Sequence, residues 1–119
     1  LKNSQEYISK KYNVPHNTID FVFHGGSGSS LEEIREAISY GTIKMNIDTD
    51  LQYAFMCGIR DYFAENTDFL QSQIGNPTGE DSPNKKFYDP RGWLRKGEIT
   101  FKERLKLAFE DLNNVNTLA

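Results

Sequence analysis

The sequence predicts an α/β fold, a parallel sheet with crossover helices, of which these 119 residues supply only part. Three observations carry that reading. "FVF", at 21–23, is an unbroken apolar run between turn formers, as expected of a strand covered on both faces. "TIKMNID", at 42–48, alternates apolar and polar residues with the period of a strand. Helical stripes with short connections surround both, giving the order helix, strand, helix, strand, helix. Two strands and their helices cannot cover both faces of a parallel sheet. The chain is therefore expected to be a piece of a larger fold, about half of a barrel that typically needs ~250 residues, either a fragment or one part of a nicked chain.

Each element has a local reason. Leu1, Gln5, Ile8 and Tyr12 recur at helical spacing, and "NVPHNT" breaks the pattern at Pro15. After the first strand, Ser30 and Glu33 form an S-x-x-E capping box, with Leu31, Ile34 and Ile38 as the apolar stripe and Gly41 where a helix C-terminal glycine belongs. Thr49 and Gln52 read as a second capping box, opening a helix with Leu51, Phe55, Ile59 and Tyr62 on one side and its end near Asn66. Residues 75–97, "GNPTGEDSPNKKFYDPRGWLRKG", lose all periodicity and read as a long functional loop. Thr100 and Glu103 then cap a terminal helix over 98–119, with Phe101, Leu105, Ala108 and Leu112 on its buried side. Residues 1–119 are thus expected to be one segment of a single domain.

Composition excludes several classes. Hydrophobic residues make up 37% and charged residues 26%, as in globular rather than disordered chains. A net charge of -3 argues against a nucleic-acid surface. No apolar run approaches the roughly 18 residues needed to cross a bilayer, and the amino terminus lacks the layout of a signal peptide. Cys57 is alone, which rules out an internal disulfide and suits a reducing compartment, the cytoplasm. One cysteine and two histidines also mean that the segment cannot build a three-histidine zinc site by itself.

The candidate chemistry sits at the strand ends, where open α/β sheets and barrels place their sites. His24 follows the first strand; its bland reading is a strand-end histidine bonded to backbone. "GGSGSS" follows it, and Gly25, Gly26 and Gly28 leave main-chain N–H groups uncovered, with Ser27 and Ser29 hydroxyls and a helix start beside them. That is an anion site or a plain glycine-rich turn. Asn46 and Asp48, two residues apart on the second strand, face one way; if that face points into a barrel, an amide for a developing oxyanion and a carboxylate acceptor are aimed at the same mouth as His24. Alternatively Lys44 and Asp48 form an interior ion pair with Asn46 as a filler, and Thr49 and Asp50 cap a helix. Arg91 offers a planar fork suited to phosphate, with Lys85 and Lys86 nearby; most exposed arginines only solvate a surface. Trp93, Phe87 and Tyr88 are expected to pack their loop, and His16 to be structural or solvent-facing. No C-x-x-C, nucleophile elbow or Walker loop is present.

"FVFHGGSGS", "YGTIKMNIDTD" and "GNPTGEDSPNKKFYDPRGWLR" together closely resemble the carboxy-terminal part of class II fructose-1,6-bisphosphate aldolase. The likeness runs from "SQEYISKKYNVPHN" to "FEDLNN", in the subgroup with "NIDTD" and the long "NPTGEDSPNKK" stretch; the sister tagatose-bisphosphate aldolases differ after the strand asparagine. The resemblance implies a (β/α)8 barrel, this chain supplying the last two strands and the closing helices. It implies that His24 is one of three histidine ligands of a zinc ion, and that Gly25, Gly26 and Ser27 hold the phosphate of the dihydroxyacetone phosphate half. Asn46, Ile47, Asp48 and Thr49 would complete that pocket, Asn46 and Asp48 as catalytic groups with Asn46 near the enediolate, and Thr49 at the phosphate. Arg91 would bind the other phosphate from across a homodimer interface, and a monovalent cation, sodium or potassium, would sit near the glycine loop.

The other two zinc histidines, the proton-donating aspartate and the base-bearing loop of such enzymes lie upstream of the matching region. The expectation is thus a zinc-dependent aldolase of glycolysis and gluconeogenesis that needs the remaining amino-terminal part of its barrel and is inactive as this segment alone. Two alternatives stand: a related ketose-bisphosphate aldolase of the tagatose type, and a non-catalytic phosphate-binding fragment.

Overall fold

The computed structural model describes residues 1–117. Positions 118 and 119 of the expected terminal helix lie outside the described residues. The chain divides into two compact units, one made of Leu1–Thr49 with the chain from Leu107 onward, the other of Asp50–Lys106.

The first unit opens with helix α1 (Lys2–Tyr12), strand β1 (Phe21–Phe23), helix α2 (Leu31–Ser39) and strand β2 (Thr42–Met45). β1 and β2 pair in parallel, as the apolar run predicts. α2 carries both halves of its capping box: the Glu33 amide donates to Ser30 Oγ at 3.2 Å, and the Ser30 amide to Glu33 Oε2 at 2.8 Å. Gly41 adopts φ 92° just past the helix, a conformation that a β-carbon would oppose.

The strand β2 is shorter than the alternation predicts. The pairing runs Phe21 to Thr42 and then Val22 to Lys44, so Ile43 is an extra residue that breaks the alternation. The strand ends at Met45, leaving Asn46 and Asp48 in the connection rather than on a strand face. Ile43 is 68% exposed, and the sheet that carries it has two strands. Among the described residues, one that the apolar pattern would place inside is thus left largely open to solvent.

Gln5 is the unit's most deeply buried side chain, 1% exposed. Its Nε2 donates to the carbonyls of Ile19 at 2.7 Å and Tyr40 at 2.8 Å, and its Oε1 accepts from the Ile19 amide at 3.2 Å. One amide thereby ties α1 to the residues entering β1 and to the end of α2. Every polar atom is paired, which is the condition for burying it.

The second unit differs most from expectation. Helix α3 (Thr49–Glu65) enters it, but residues 75–97 are not an irregular loop. Strands β3 (Ile74–Asn76) and β4 (Gly79–Pro83) form an antiparallel hairpin, followed by the short helix α4 (Lys85–Tyr88) and the long helix α5 (Pro90–Asp111). The terminal helix thus starts at Pro90, not near 98. Asp89 caps it, accepting the Arg91 amide at 3.0 Å, and Pro90 fills the first helical position, where no N–H is needed. Thr100 lies mid-helix, its hydroxyl bonded back to the carbonyls of Lys96 and Gly97; its S/T-x-x-E pattern caps nothing.

The hairpin is held by a buried amide rather than an apolar face. Asn84 is 0% exposed; its Nδ2 donates to the Ser72 and Gly75 carbonyls, both at 2.9 Å, and its Oδ1 accepts from Asn76 Nδ2 at 2.6 Å. Asn84→Ala leaves these groups buried and unpaired and is expected to destabilise the fold by roughly 3 kcal/mol. Urea unfolding checks this as a lower midpoint at unchanged slope; an unmoved midpoint would show that the hairpin stands without the amide. Among the described residues no helix is long and apolar enough to cross a membrane.

Candidate functional site

Parallel pairing sends the carboxyl ends of β1 and β2 the same way, so the residues just past them meet. His24 follows β1 and Asn46 follows β2, and Asn46 Nδ2 lies 2.9 Å from His24 Nδ1. The backbone fixes the asparagine from two sides: its amide donates to the Phe23 carbonyl at 3.0 Å, and its carbonyl accepts the Gly26 amide at 3.3 Å. Gly26 is buried, and a β-carbon there would stand 2.6 Å from Met45 Sδ. A larger residue there would require the Met45 side chain to move aside.

The loop is less open than its composition suggests. Gly26–Gly28 forms a 3₁₀ turn after Gly25, which takes a left-handed conformation at φ 78°. The Gly28 amide donates to the Gly25 carbonyl at 3.4 Å and the Ser29 amide to the Gly26 carbonyl at 3.2 Å. The expectation of uncovered amides along the whole loop is thereby corrected at three positions: the turn itself takes up the Gly28 and Ser29 amides, and the Asn46 carbonyl takes that of Gly26. These bonds lie at or beyond the long end of the usual 2.7–3.2 Å range and are weak. The start of α2 is also unsuited to an anion, because Glu33 closes the capping box and Glu32 stands beside it in the first turn.

Of the other predicted residues, Ile47 is half-buried, Asp48 is exposed, and Thr49 is the first residue of α3. Thr49 was expected to cap that helix; the structure sets it inside the first turn. Arg91 belongs to the second unit, in the first turn of α5, with its side chain 89% exposed. Its Nε donates to Asp89 Oδ1 at 3.0 Å and its Nη2 to Asp89 Oδ2 at 2.5 Å. These hydrogen bonds hold the Asp89 carboxyl down to about 2 and raise the Arg91 guanidinium. A depressed carboxyl keeps its charge as pH falls until about 2, so Asp89 is charged at every physiological pH. One bidentate edge of the fork is thus occupied, and the end-on edge faces solvent. Asp89 escaped the sequence reading; the signal that marks it is Asp-Pro-Arg at a helix start.

Among the described residues no group of three or more His, Cys, Asp and Glu side chains is placed to hold a metal ion. His24 fits as a single ligand of a shared centre: it is exposed at a strand end, with one ring nitrogen fixed by Asn46.

Comparison with known proteins bears on this arrangement. The sequence profile of the fructose-bisphosphate aldolase class-II family matches residues 1–117. The chain is 58% identical over 118 residues to a fructose-bisphosphate aldolase of Edwardsiella ictaluri and 56% identical to the class 2 enzyme of Escherichia coli strain K12, covering 99% of this chain in each case. It spans 33% of the length of those relatives. The fold superposes on a crystal structure of the Campylobacter jejuni fructose-bisphosphate aldolase with a TM-score of 0.90 and 58% identity, over 97% of this chain and 34% of that one.

Proposed function

The chain belongs to the class-II fructose-bisphosphate aldolase family, and from that premise we propose that it forms the carboxy-terminal third of an enzyme cleaving fructose 1,6-bisphosphate into dihydroxyacetone phosphate and glyceraldehyde 3-phosphate. The reading places it in a (β/α)8 barrel, as a cytoplasmic homodimer of glycolysis and gluconeogenesis. The observation that carries it is the contact of His24 with Asn46 beside a loop bonded to the same asparagine's backbone. Imidazole, side-chain amide and glycine loop converge on one spot.

In this reading His24 is one ligand of a zinc ion whose remaining ligands lie in the part of the relatives outside the matched third. When bound, zinc supplies Lewis-acid polarisation of the ketone oxygen. Asn46 sets the imidazole for its role. As placed, its Nδ2 donates to Nδ1 and leaves the proton of a neutral ring on Nε2. Half a turn of the amide presents Oδ1 to an Nδ1 proton and frees the Nε2 lone pair, with the ring in the same place.

The same amide, with the Asp48 carboxylate two residues on, is positioned for the reacting carbons. Asn46 donates to the oxygen that gains charge as the carbon–carbon bond breaks, and Asp48 accepts from a substrate hydroxyl. Gly25, Gly26 and Ser27 take the phosphate of the three-carbon half, the Gly26 amide exchanging its long bond to the Asn46 carbonyl for a charge-assisted one. Ile47 shapes that pocket, and Thr49 meets the phosphate at the start of α3. A sodium or potassium ion near the glycine loop completes the set.

Arg91 takes the distal phosphate from across the dimer interface through its end-on edge, while Asp89 holds the other. Arg91→Ala is expected to raise KM for fructose 1,6-bisphosphate roughly tenfold, with a smaller change in kcat. Steady-state kinetics on the complete enzyme check this, and an unchanged KM would reduce Arg91 to a surface group. The experiment that tests the reading as a whole is cleavage of fructose 1,6-bisphosphate by the complete chain, with and without a chelator. Chelator-insensitive cleavage, or none, would reject it.

A further inference from the structure

α3 and α5 sit unusually close, and one ion pair marks the end of that contact. A β-carbon on Gly58 would stand 2.3 Å from the Lys96 carbonyl oxygen, so the middle of α3 lies directly on the backbone of α5. Eight residues earlier, Arg104 of α5 grips Asp50 in the first turn of α3. Its Nε donates to Asp50 Oδ2 at 2.7 Å and its Nη2 to the same oxygen at 2.5 Å. The pair spans 54 residues of sequence, whereas Arg91–Asp89, Arg95–Glu98 and Lys106–Glu103 each join residues within three positions. It is also half-enclosed, with side chains 26% and 35% exposed. Arg104 Nη1 is buried with no hydrogen-bond partner, an arrangement that opposes stability rather than serving it.

What the pair does serve is the helix start. Asp50 directly follows Thr49, the residue assigned to the substrate's phosphate, and a bare carboxylate there would repel a phosphate dianion. We propose that Arg104 is a positioning residue: by holding Asp50 it fixes the first turn of α3 and cancels the charge beside Thr49, so that this helix end accepts the phosphate of the three-carbon half. This rests on the aldolase reading above. The connection 46–48 is then held at both ends, by the Asn46 amide on Phe23 and by Asp50 on Arg104.

The test uses the complete, metal-loaded enzyme. In Arg104→Met, KM for fructose 1,6-bisphosphate and the Kd of dihydroxyacetone phosphate are expected to rise together by roughly tenfold. Adding Asp50→Asn removes the uncancelled charge and is expected to recover about half of that loss on a logarithmic scale. A purely structural role would lower Vmax with the melting temperature and leave KM unmoved, and that result overturns the proposal, as does a double variant no better than the single. Should Arg104→Met fail to fold, Arg104→Lys keeps the charge without the fork and is expected to give a smaller rise in KM; a parental KM there overturns it equally. If the parent enzyme does not cleave the bisphosphate, the aldolase reading fails. The inference is then judged by the Kd of inorganic phosphate, weakened by Arg104→Met if it holds and unchanged if it does not.

Discussion

His24→Ala in the complete enzyme is expected to lower kcat by at least about a thousandfold and to let the zinc escape on dialysis against metal-free buffer. The size follows from the residue's place. It stands exposed at the carboxyl end of β1 and contributes no buried packing, so its removal is expected to leave the fold intact and, on the proposed reading, to take away a ligand alone. Circular dichroism and the melting temperature are therefore expected to match the parent. Activity at the parental level would show that the ring binds no cation. Excess zinc is expected to restore little, because two remaining ligands bind the ion weakly and without the right geometry.

Asn46→Ala is expected to cost nearly as much by another route. In the proposed function the residue has two tasks, orienting the imidazole and donating to the oxygen that gains charge. The first belongs to the class of outer-shell contacts whose loss typically lowers metal affinity 10–100-fold; the second is the type of donor whose loss lowers kcat by about 10²–10³. Zinc titration separates them. At saturating zinc the metal content recovers while kcat stays low and KM moves little. Full recovery of kcat would leave Asn46 only its orienting task, and a parental kcat at every zinc level would remove both. The backbone bonds of residue 46 to Phe23 and Gly26 survive the substitution, so the local fold is unaffected.

The first unit was legible because its signals are local and conventional. An apolar tripeptide between turn formers gave a strand, Ser30 with Glu33 gave a helix start, and alternation gave the second strand. What alternation hid was the extra residue at Ile43, since a bulge changes pairing without changing residue type. The strand's reach falls short of the alternation because its partner ends at Phe23, opposite Met45, although the meeting of His24 and Asn46 follows from parallel pairing alone.

The second unit was misread where structure rests on polar atoms. The hairpin's strands, "IGN" and "GEDSP", carry no apolar face, and the buried amide of Asn84 has no periodic signature. Asp89-Pro90 is a helix start in its own right, but Gly92 and Gly97 in the next turns looked like loop residues. Gly97 instead lies against Phe55, where a β-carbon would come within 2.9 Å of the ring. Glycine at a tight helix contact and glycine in a loop are the same letter; only the partner tells them apart. Arg104 and Asp50 were likewise beyond reach, since nothing in a charge pattern pairs residues 54 positions apart.

The central claim is that the imidazole of His24 and the loop after it hold neighbouring atoms of one three-carbon substrate unit. A crystal structure of the complete enzyme with zinc and dihydroxyacetone phosphate, with anomalous data at the zinc edge, tests it most directly. The expected result is a zinc peak about 2.0–2.1 Å from a His24 ring nitrogen, with the phosphate on the main chain of Gly25 to Ser27 and on Thr49. A zinc peak remote from His24, with the loop's internal bonds intact and the phosphate elsewhere, would contradict it.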